Sequence, residues 1–418
     1  LIRTRFGYTL LLCALLPRAL LRLVLRSRRE PGYLRHLAER FGRYSIPATG
    51  PTVWVHAVSV GETRAVQPLV ERLAQRYPGH RILLTHMTPT GRATGEELYG
   101  DRVMRCYLPY DFPGAMARFL DHFRPVVGVL METEIWFNLI HACHVRGVPL
   151  FLANARLSAR SMRRYGRAAA LAESGMNKLA AIAAQTQDDA GRFRALGARN
   201  VVVMGNMKFD VAPPDALVAR GRQWRHAWGT HRPVFVAAST REGEEALLVD
   251  VLDRIDVPGL LTVIVPRHPQ RFDEVAALIE RRGYACQRRS RGDAIAGDTR
   301  VLLGDSMGEM FAYYAAADVA FVGGSLLPFG AHNLLEPCAV GRPVVIGPSD
   351  YNFAEAARDA VGAGAVVRVR DATALAREVM ALLLDPARRE AMGAAGIEFT
   401  RRHHGATERL LELMRLPP

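Results

Sequence analysis

A chain of 418 residues with 49% hydrophobic and 23% charged side chains is globular in composition and long enough for two or three domains, which excludes a disordered or fibrous protein. Its formal net charge of +14, carried almost wholly by arginine, implies an acidic partner: a phosphorylated substrate, an anionic lipid or nucleic acid. The five cysteines are far apart, odd in number and without a C-x-x-C pair, so they suit a reducing compartment better than a disulfide or zinc framework.

The first predicted element is both apolar and basic. Tyr8 to Leu16 is apolar apart from Thr9, Pro17 and Arg18 interrupt it, and Ala19 to Leu25 resumes with Arg22 inside. Arg26, Arg28 and Arg29 close it. The uninterrupted run is shorter than the roughly 20 residues of a spanning helix. No small-residue cleavage site follows, which argues against a removed signal peptide. The pattern predicts a membrane-associated helix whose arginines face anionic headgroups at the cytoplasmic surface. A tilted span with snorkelling arginines is the alternative. With the basic, helical-looking Arg28–Gly42, residues 1–42 form a predicted anchor region, and Arg43–Pro51 is a loop.

From Val53 onward, short apolar runs alternate with helical patterns. Val53–Ala57, Arg81–Thr85, Val103–Leu108, Val126–Met131, Val148–Ala153, Ala180–Gln185 and Val201–Met204 read as strands. The texture breaks over 211–231, where Ala212-Pro-Pro-Asp is a turn and an Arg-rich helix follows. Strands resume at Val234–Ala238, Leu260–Val265, Val301–Leu303, Val319–Val322, Val344–Ile346 and Val366–Val369, and the chain reads as helix from Ala372. This α/β alternation predicts two parallel-sheet, Rossmann-like domains, 51–210 and 232–418, joined by the 211–231 linker and facing a cleft.

Within the first block, the strand at Val53 runs into Ser59, Gly61 and Glu62 and then a helix opening near Thr63. Glu62 at that helix start is favoured in its charged form by the dipole and can take a proton from a substrate hydroxyl; it can equally be a dipole-complementing residue. Glu132 and Glu134 follow the strand ending at Met131, placed for catalysis or for strand-end capping. Asn154 to Ser161 carries two guanidinium groups and two hydroxyls, which suit phosphate contacts or a solvated face. Lys208 closes the block.

In the second block, Pro266 and Arg267 end a strand, where open α/β sheets bind ligands. Gly304 to Met310 reads as a helix start whose free N–H groups, with Gly308 allowing close approach, can hold phosphate, although Ser306 and Glu309 also fit a capping box. Asn333, Leu334, Leu335 and Glu336 open a helix; the spacing suits an N-cap pair, or a Glu gripping both ribose hydroxyls. With Gly323, Gly324, Gly341 and Gly347 nearby, a nucleotide-sugar site is the favoured reading. No His/Cys/Asp group has metal-ligand spacing, so no metal or other cofactor is expected.

HAVSVGET (56–63), THMTPTG (85–91), YLPYD (107–111), METEIW (131–136), NARLSARS (154–161), MKFD (207–210), PRHPQRF (266–272) and GAHNLLEP (330–337) occur in order over nearly the whole chain. The chain thereby resembles the 3-deoxy-D-manno-octulosonic acid (Kdo) transferases of bacterial lipopolysaccharide synthesis. That resemblance implies a GT-B glycosyltransferase moving Kdo, with inversion, from CMP-Kdo onto a phosphorylated lipid A precursor. It also implies an inner-membrane anchor with anionic lipids as partners, and no nucleic acid. Glu62 falls on the family's general base, and Glu132 and Lys208 on positions that stabilise the transition state. Pro266, Arg267, Met307, Gly308, Glu309 and Asn333 to Glu336 fall on CMP-contacting stretches. Phe137 stands where Pro is expected, and Ala331 where a second Gly is expected. A GT-B-type nucleotide-sugar epimerase and a non-enzymatic membrane-tethered binding protein are the alternatives.

Overall fold

The computed structural model describes residues 4–28, 30–47, 50–210 and 212–414. Residues 1–3 and Arg29 of the predicted anchor, Ala48 and Thr49 of the predicted loop, Val211 of the predicted linker and the last four residues of the predicted second domain lie outside them. The chain divides into two compact units, Leu1–Asp210 with Gly405–Pro418, and Val211–His404.

The first unit is built on seven strands: β1 (Thr52–His56), β2 (Arg81–His86), β3 (Val103–Tyr107), β4 (Pro125–Met131), β5 (Leu150–Ala155), β6 (Ala181–Ala184) and β7 (Val201–Val203). All pair in parallel, in the order β3-β2-β1-β4-β5-β6-β7. Both faces of such a sheet are covered by helices, which is why β1 is buried along its whole length. Val53 sits opposite Ile82 on one side and Val127 on the other. Trp54, fully buried, stacks edge-on against Phe119 at 4.9 Å, and its Nε1 donates to Thr85 Oγ1 at 2.8 Å. Gly128 on β4 makes room for it: a Cβ there would come within 2.6 Å of the indole. The strand order reverses between β1 and β4, so the loops leaving their carboxyl ends diverge and open a crevice.

The second unit repeats the plan with β8 (Val234–Thr240), β9 (Leu261–Pro266), β10 (Cys286–Arg288), β11 (Val301–Leu303), β12 (Val319–Val322), β13 (Val344–Ile346) and β14 (Val366–Arg368). The order is β10-β11-β9-β8-β12-β13-β14, again parallel, with its reversal between β8 and β12.

The structure corrects several sequence expectations. Pro17 does not interrupt the first helix, which runs unbroken over Arg5–Ser27. At about 1.5 Å per residue its 23 residues are, by length and composition, long and apolar enough to cross a membrane. Arg28–Gly42 is two short 3-10 turns, Pro31–Leu34 and Leu37–Phe41, separated by a left-handed His36. The predicted linker is an integral helix, Asp215–Trp228, packed on the second unit, where Trp224 lies 5.0 Å from the Tyr313 ring. Strand β10 went unpredicted because a three-residue, half-buried polar edge carries no apolar run.

The last helix, Ala406–Met414, was assigned with the second block but belongs to the first unit. Leu410, Leu411 and Met414 bury themselves in the apolar layer shared with Val53, Val55 and Leu69. Asp210 caps it, accepting from the N–H groups of Gly405 (2.6 Å), Ala406 (3.0 Å) and Thr407 (2.5 Å).

Candidate active site

Glu62 stands in the first turn of the helix Val60–Ala65, at the carboxyl end of β1. Ser59 caps that helix, and the cap is reciprocal. Ser59 Oγ accepts from Glu62 N at 3.5 Å and donates to Glu62 Oε1 at 2.9 Å, while Val58 N donates to Glu62 Oε2 at 2.9 Å. The sequence leads one to expect the helix start to hold this carboxyl ionised. The balance goes the other way. Burial raises its pKa to about 7, with the nearby Glu132 and Glu134 carboxylates adding to the rise, and the hydrogen bonds from Val58 and Ser59 offset only part of it. A carboxyl titrating near neutrality is matched to proton abstraction from a hydroxyl.

Behind it lie two buried imidazoles at the ends of β1 and β2. His56 Nδ1 is 2.8 Å from Thr85 Oγ1, and His86 Nδ1 is 2.9 Å from Ala57 O. Burial drives their pKa values down to about 3 and about 4, so both are neutral braces of the β1 loop. The rings of His56 and Trp136 meet edge-to-face at 5.7 Å, which ties β1 to the loop after β4.

That loop carries Glu132 and Glu134. Glu132 adopts a left-handed backbone, φ 57°, a conformation that costs a side-chain-bearing residue about 1–3 kcal/mol. Two hydrogen bonds hold it there: its N–H to Ala153 O (3.0 Å) and Arg156 N–H to its carbonyl (3.2 Å). The strain turns its carboxylate to within 3.9 Å of Lys208 Nζ. Glu134 points elsewhere, accepting from Trp136 Nε1 at 2.5 Å, and burial raises its pKa.

Lys208 itself rides on a 3-10 turn, Met207–Phe209, that is fastened at both ends. Asn154, fully buried with φ 51°, accepts from Met207 N at 3.0 Å, and Asn206 Oδ1 accepts from Lys208 N at 3.0 Å. Asp210, on the other side, is the cap of the last helix. Glu62, Glu132 and Lys208, distant in sequence, thus all follow the carboxyl ends of strands of one sheet in one unit. Of the basic run after Asn154, Arg156 gives this group only its backbone N–H, while Ser158 caps the helix Ala159–Gly166 and Arg160 is exposed.

In the second unit, Pro266 ends β9 and Arg267 N donates to Thr240 O at 3.0 Å, joining the loops after β8 and β9. Met307 and Gly308 are exposed on the loop after β11, and Gly308 has φ 77°. The predicted helix start shifts to Met310, and the capping box does not form. Ser306 Oγ instead meets Tyr313 Oη at 2.7 Å, while Glu309 pairs with Arg220 (2.9 Å) and Arg289 (3.2 Å). Asn333 Nδ2 donates to Glu336 Oε1 at 3.1 Å, and Asn333 Oδ1 accepts from Leu335 N. The Leu334 and Leu335 side chains are fully buried, so these two offer a ligand only their backbone.

Sequence reasoning missed the residue that organises this end of the second sheet. Glu244, fully buried, follows Gly243 at a helix start and accepts from Gly324 N (2.6 Å), Leu326 N (2.9 Å) and Arg241 N (2.9 Å). It closes the loops after β8 and β12 onto each other at the point where the strand order reverses. Its signal was the Gly-Glu-Glu run after a predicted strand, which reads as an ordinary polar turn.

A protein-family model described as 3-deoxy-D-manno-octulosonic-acid transferase matches residues 35–211, and one for group 1 glycosyl transferases matches residues 287–399. The 3-deoxy-D-manno-octulosonic acid transferase of Bordetella pertussis is 46% identical over 97% of this chain and 98% of its own length. The chain belongs to the Kdo transferase family. The Haemophilus influenzae Kdo transferase is 40% identical, with 98% of each chain covered. Among solved structures, MurG of Acinetobacter baumannii (13% identical, 88% of this chain and 99% of that one, TM-score 0.54) shares the fold. So does the UDP-GlcNAc 2-epimerase of Neisseria meningitidis (15% identical, 87% of this chain and 99% of that one, TM-score 0.56). At those identities the likeness is one of fold, and it shows the two-unit GT-B architecture. As a Kdo transferase the chain is a glycosyltransferase, and the family implies a role in lipopolysaccharide synthesis.

Proposed function

We propose that this Kdo transferase moves Kdo from CMP-Kdo to a hydroxyl of a phosphorylated, acylated lipid A precursor, in one displacement with inversion, at the cytoplasmic face of the inner membrane. The observation that carries the reading is Glu62, a carboxyl held near neutral pKa at the switch point of the first sheet beside Glu132 and Lys208. The acceptor oxygen attacks the anomeric carbon of Kdo, its proton passes to Glu62, and the bond to the CMP phosphate oxygen breaks with the electron pair leaving on CMP. The leaving phosphate monoester is a stable anion, so no strong general acid is required. Glu132 and Lys208 then act on charge developing at the sugar, and the second unit supplies the nucleotide through Pro266, Arg267, Met307, Gly308, Glu309 and Asn333 to Glu336. The residues that do this are all protein groups, and no metal or cofactor takes part. The exposed Phe6, Leu10, Leu21, Val24 and Leu25 of the first helix, with Arg18, Arg22 and Arg26 spaced one turn apart, suit anionic lipid.

Mass analysis of products from CMP-Kdo and a defined tetraacyl acceptor tests the proposal. Kdo-bearing acceptor with CMP released is the expected result; hydrolysis or epimerisation of the donor with no transfer would overturn it. The nucleotide contact has its own test. Glu336→Ala is expected to weaken CMP binding by roughly 1–3 kcal/mol if its carboxylate holds the ribose. Calorimetric titration beside thermal melting reads this out, because a residue acting only through the Asn333 turn would lower melting and leave CMP affinity of the folded protein unchanged.

A further inference from the structure

The first helix does not stand clear of its unit. Tyr8 Oη donates to Asp111 Oδ2 at 2.9 Å, Thr9 Oγ1 lies 3.0 Å from Asn138 Nδ2, and the Tyr8 ring meets Phe137 edge-on at 5.2 Å. Asp111 in turn accepts from Asn138 N (3.1 Å) and Leu139 N (2.8 Å), so the helix is latched to the start of the helix Phe137–Val145. Beyond this latch the two surfaces separate. Between them lies a groove of about 330 Å³ with Leu12, Leu15 and Ala19 on one wall and Phe112, Ile135 and Trp136 on the other.

Two features of the groove say what fills it. Its first wall is the helix whose outward side exposes Phe6, Leu10, Leu21 and Leu25, and with Arg18, Arg22 and Arg26 on the same helix that surface suits anionic lipid. Its second wall is the 133–136 segment of the loop that holds Glu132 and Glu134, and Trp136 reaches through to His56 behind Glu62. The groove therefore lies between the lipid-facing helix and the loop that carries Glu132 and Glu134. We infer that it receives one acyl chain of the acceptor lipid and so fixes the distance from the bilayer at which the acceptor hydroxyl meets Glu62. This rests on the reading of the substrate as a lipid acceptor. A protein partner would find no free charge there, because Asp111, the charged residue of the lining, already accepts from Tyr8 and two N–H groups.

The test uses the full chain, CMP-Kdo, and phosphorylated glucosamine disaccharides whose short acyl chains increase in length, assayed as monomers in water without detergent or bilayer, so that partition into either plays no part. For the wild type, kcat/KM is expected to rise about fourfold per added methylene until the groove is full and then to level off, as burial of a methylene predicts. Ala19→Phe, which fills the groove, is expected to flatten that rise. An unchanged rise in Ala19→Phe would overturn the inference. Should that variant fail to fold, an acceptor with a diazirine at one chain terminus decides on the wild type. Crosslinks within residues 12–19 and 112–136 are expected, and crosslinks found only elsewhere would overturn the inference. Failure of transfer to every acceptor, acylated or not, would instead overturn the lipid-acceptor reading, and the inference with it.

Discussion

Replacing Glu62 with Gln is expected to lower turnover by about 10²–10⁴-fold, the contribution of a positioned general base. Gln keeps the size of the side chain and an oxygen that can accept from Val58 N, so the cap on the helix Val60–Ala65 survives. What it loses is the ability to take a proton. The pH profile should change with it. Wild-type kcat/KM should rise with pH up to about 7, where the Glu62 carboxyl ionises, and level off above; the variant should lack that limb. Stability gives an independent control. Because the folded pKa lies above that of a free carboxyl, the stability contributed by the protonated form is fully present below about 4.5 and lost as pH rises through about 7. Above 7 the variant should therefore melt no lower than the wild type. Rates measured beside melting curves on both sides of 7 check this, and wild-type turnover in Glu62→Gln would move the search to Glu134, whose pKa is also raised.

The two-sheet architecture was legible because buried parallel strands are written as short runs of Val, Ile and Leu, as at Val126–Met131 and Val319–Val322. Glu62, Glu132 and Lys208 were legible from their motifs, and the sheet order explains their convergence on one unit. What was not legible depends on distant partners. Nothing near residue 405 states that Asp210, some two hundred positions earlier, caps the last helix and returns it to the first unit. The helix dipole at Glu62 was visible in sequence, but the burial and the neighbouring carboxylates that outweigh it were not. Pro17 reads as a break because a proline removes one helical hydrogen bond, yet the helix continues through it from Arg5 to Ser27. The capping box at Ser306 and Glu309 lost to stronger competitors, Tyr313 for the hydroxyl and two arginines for the carboxylate.

Glu244→Leu is expected to be among the most destabilising single substitutions in the second unit. Its carboxylate accepts three backbone N–H groups from two loops, and it is fully buried. Removing it strands those donors without water, and each buried donor left unsatisfied costs about 1–3 kcal/mol. The loops it joins have little room to find substitutes. A Cβ on Gly347 would lie 2.2 Å from Ser325 O, and Ser325 Oγ already accepts from Gly347 N at 2.8 Å. Relaxation of the loop after β12 would thus push against the end of β13. We expect a loss of roughly 3–5 kcal/mol, read as a lower denaturant midpoint for the transition of the second unit. Because Gly324 and Leu326 precede Asn333 and Glu336 on the same loop, CMP affinity should fall in the fraction that remains folded. The Glu62 limb of the pH profile, which belongs to the first unit, should stay where it is. A variant that keeps both its midpoint and its CMP affinity would show that water or a shifted side chain satisfies the three donors, and that Glu244 does not organise this end of the sheet.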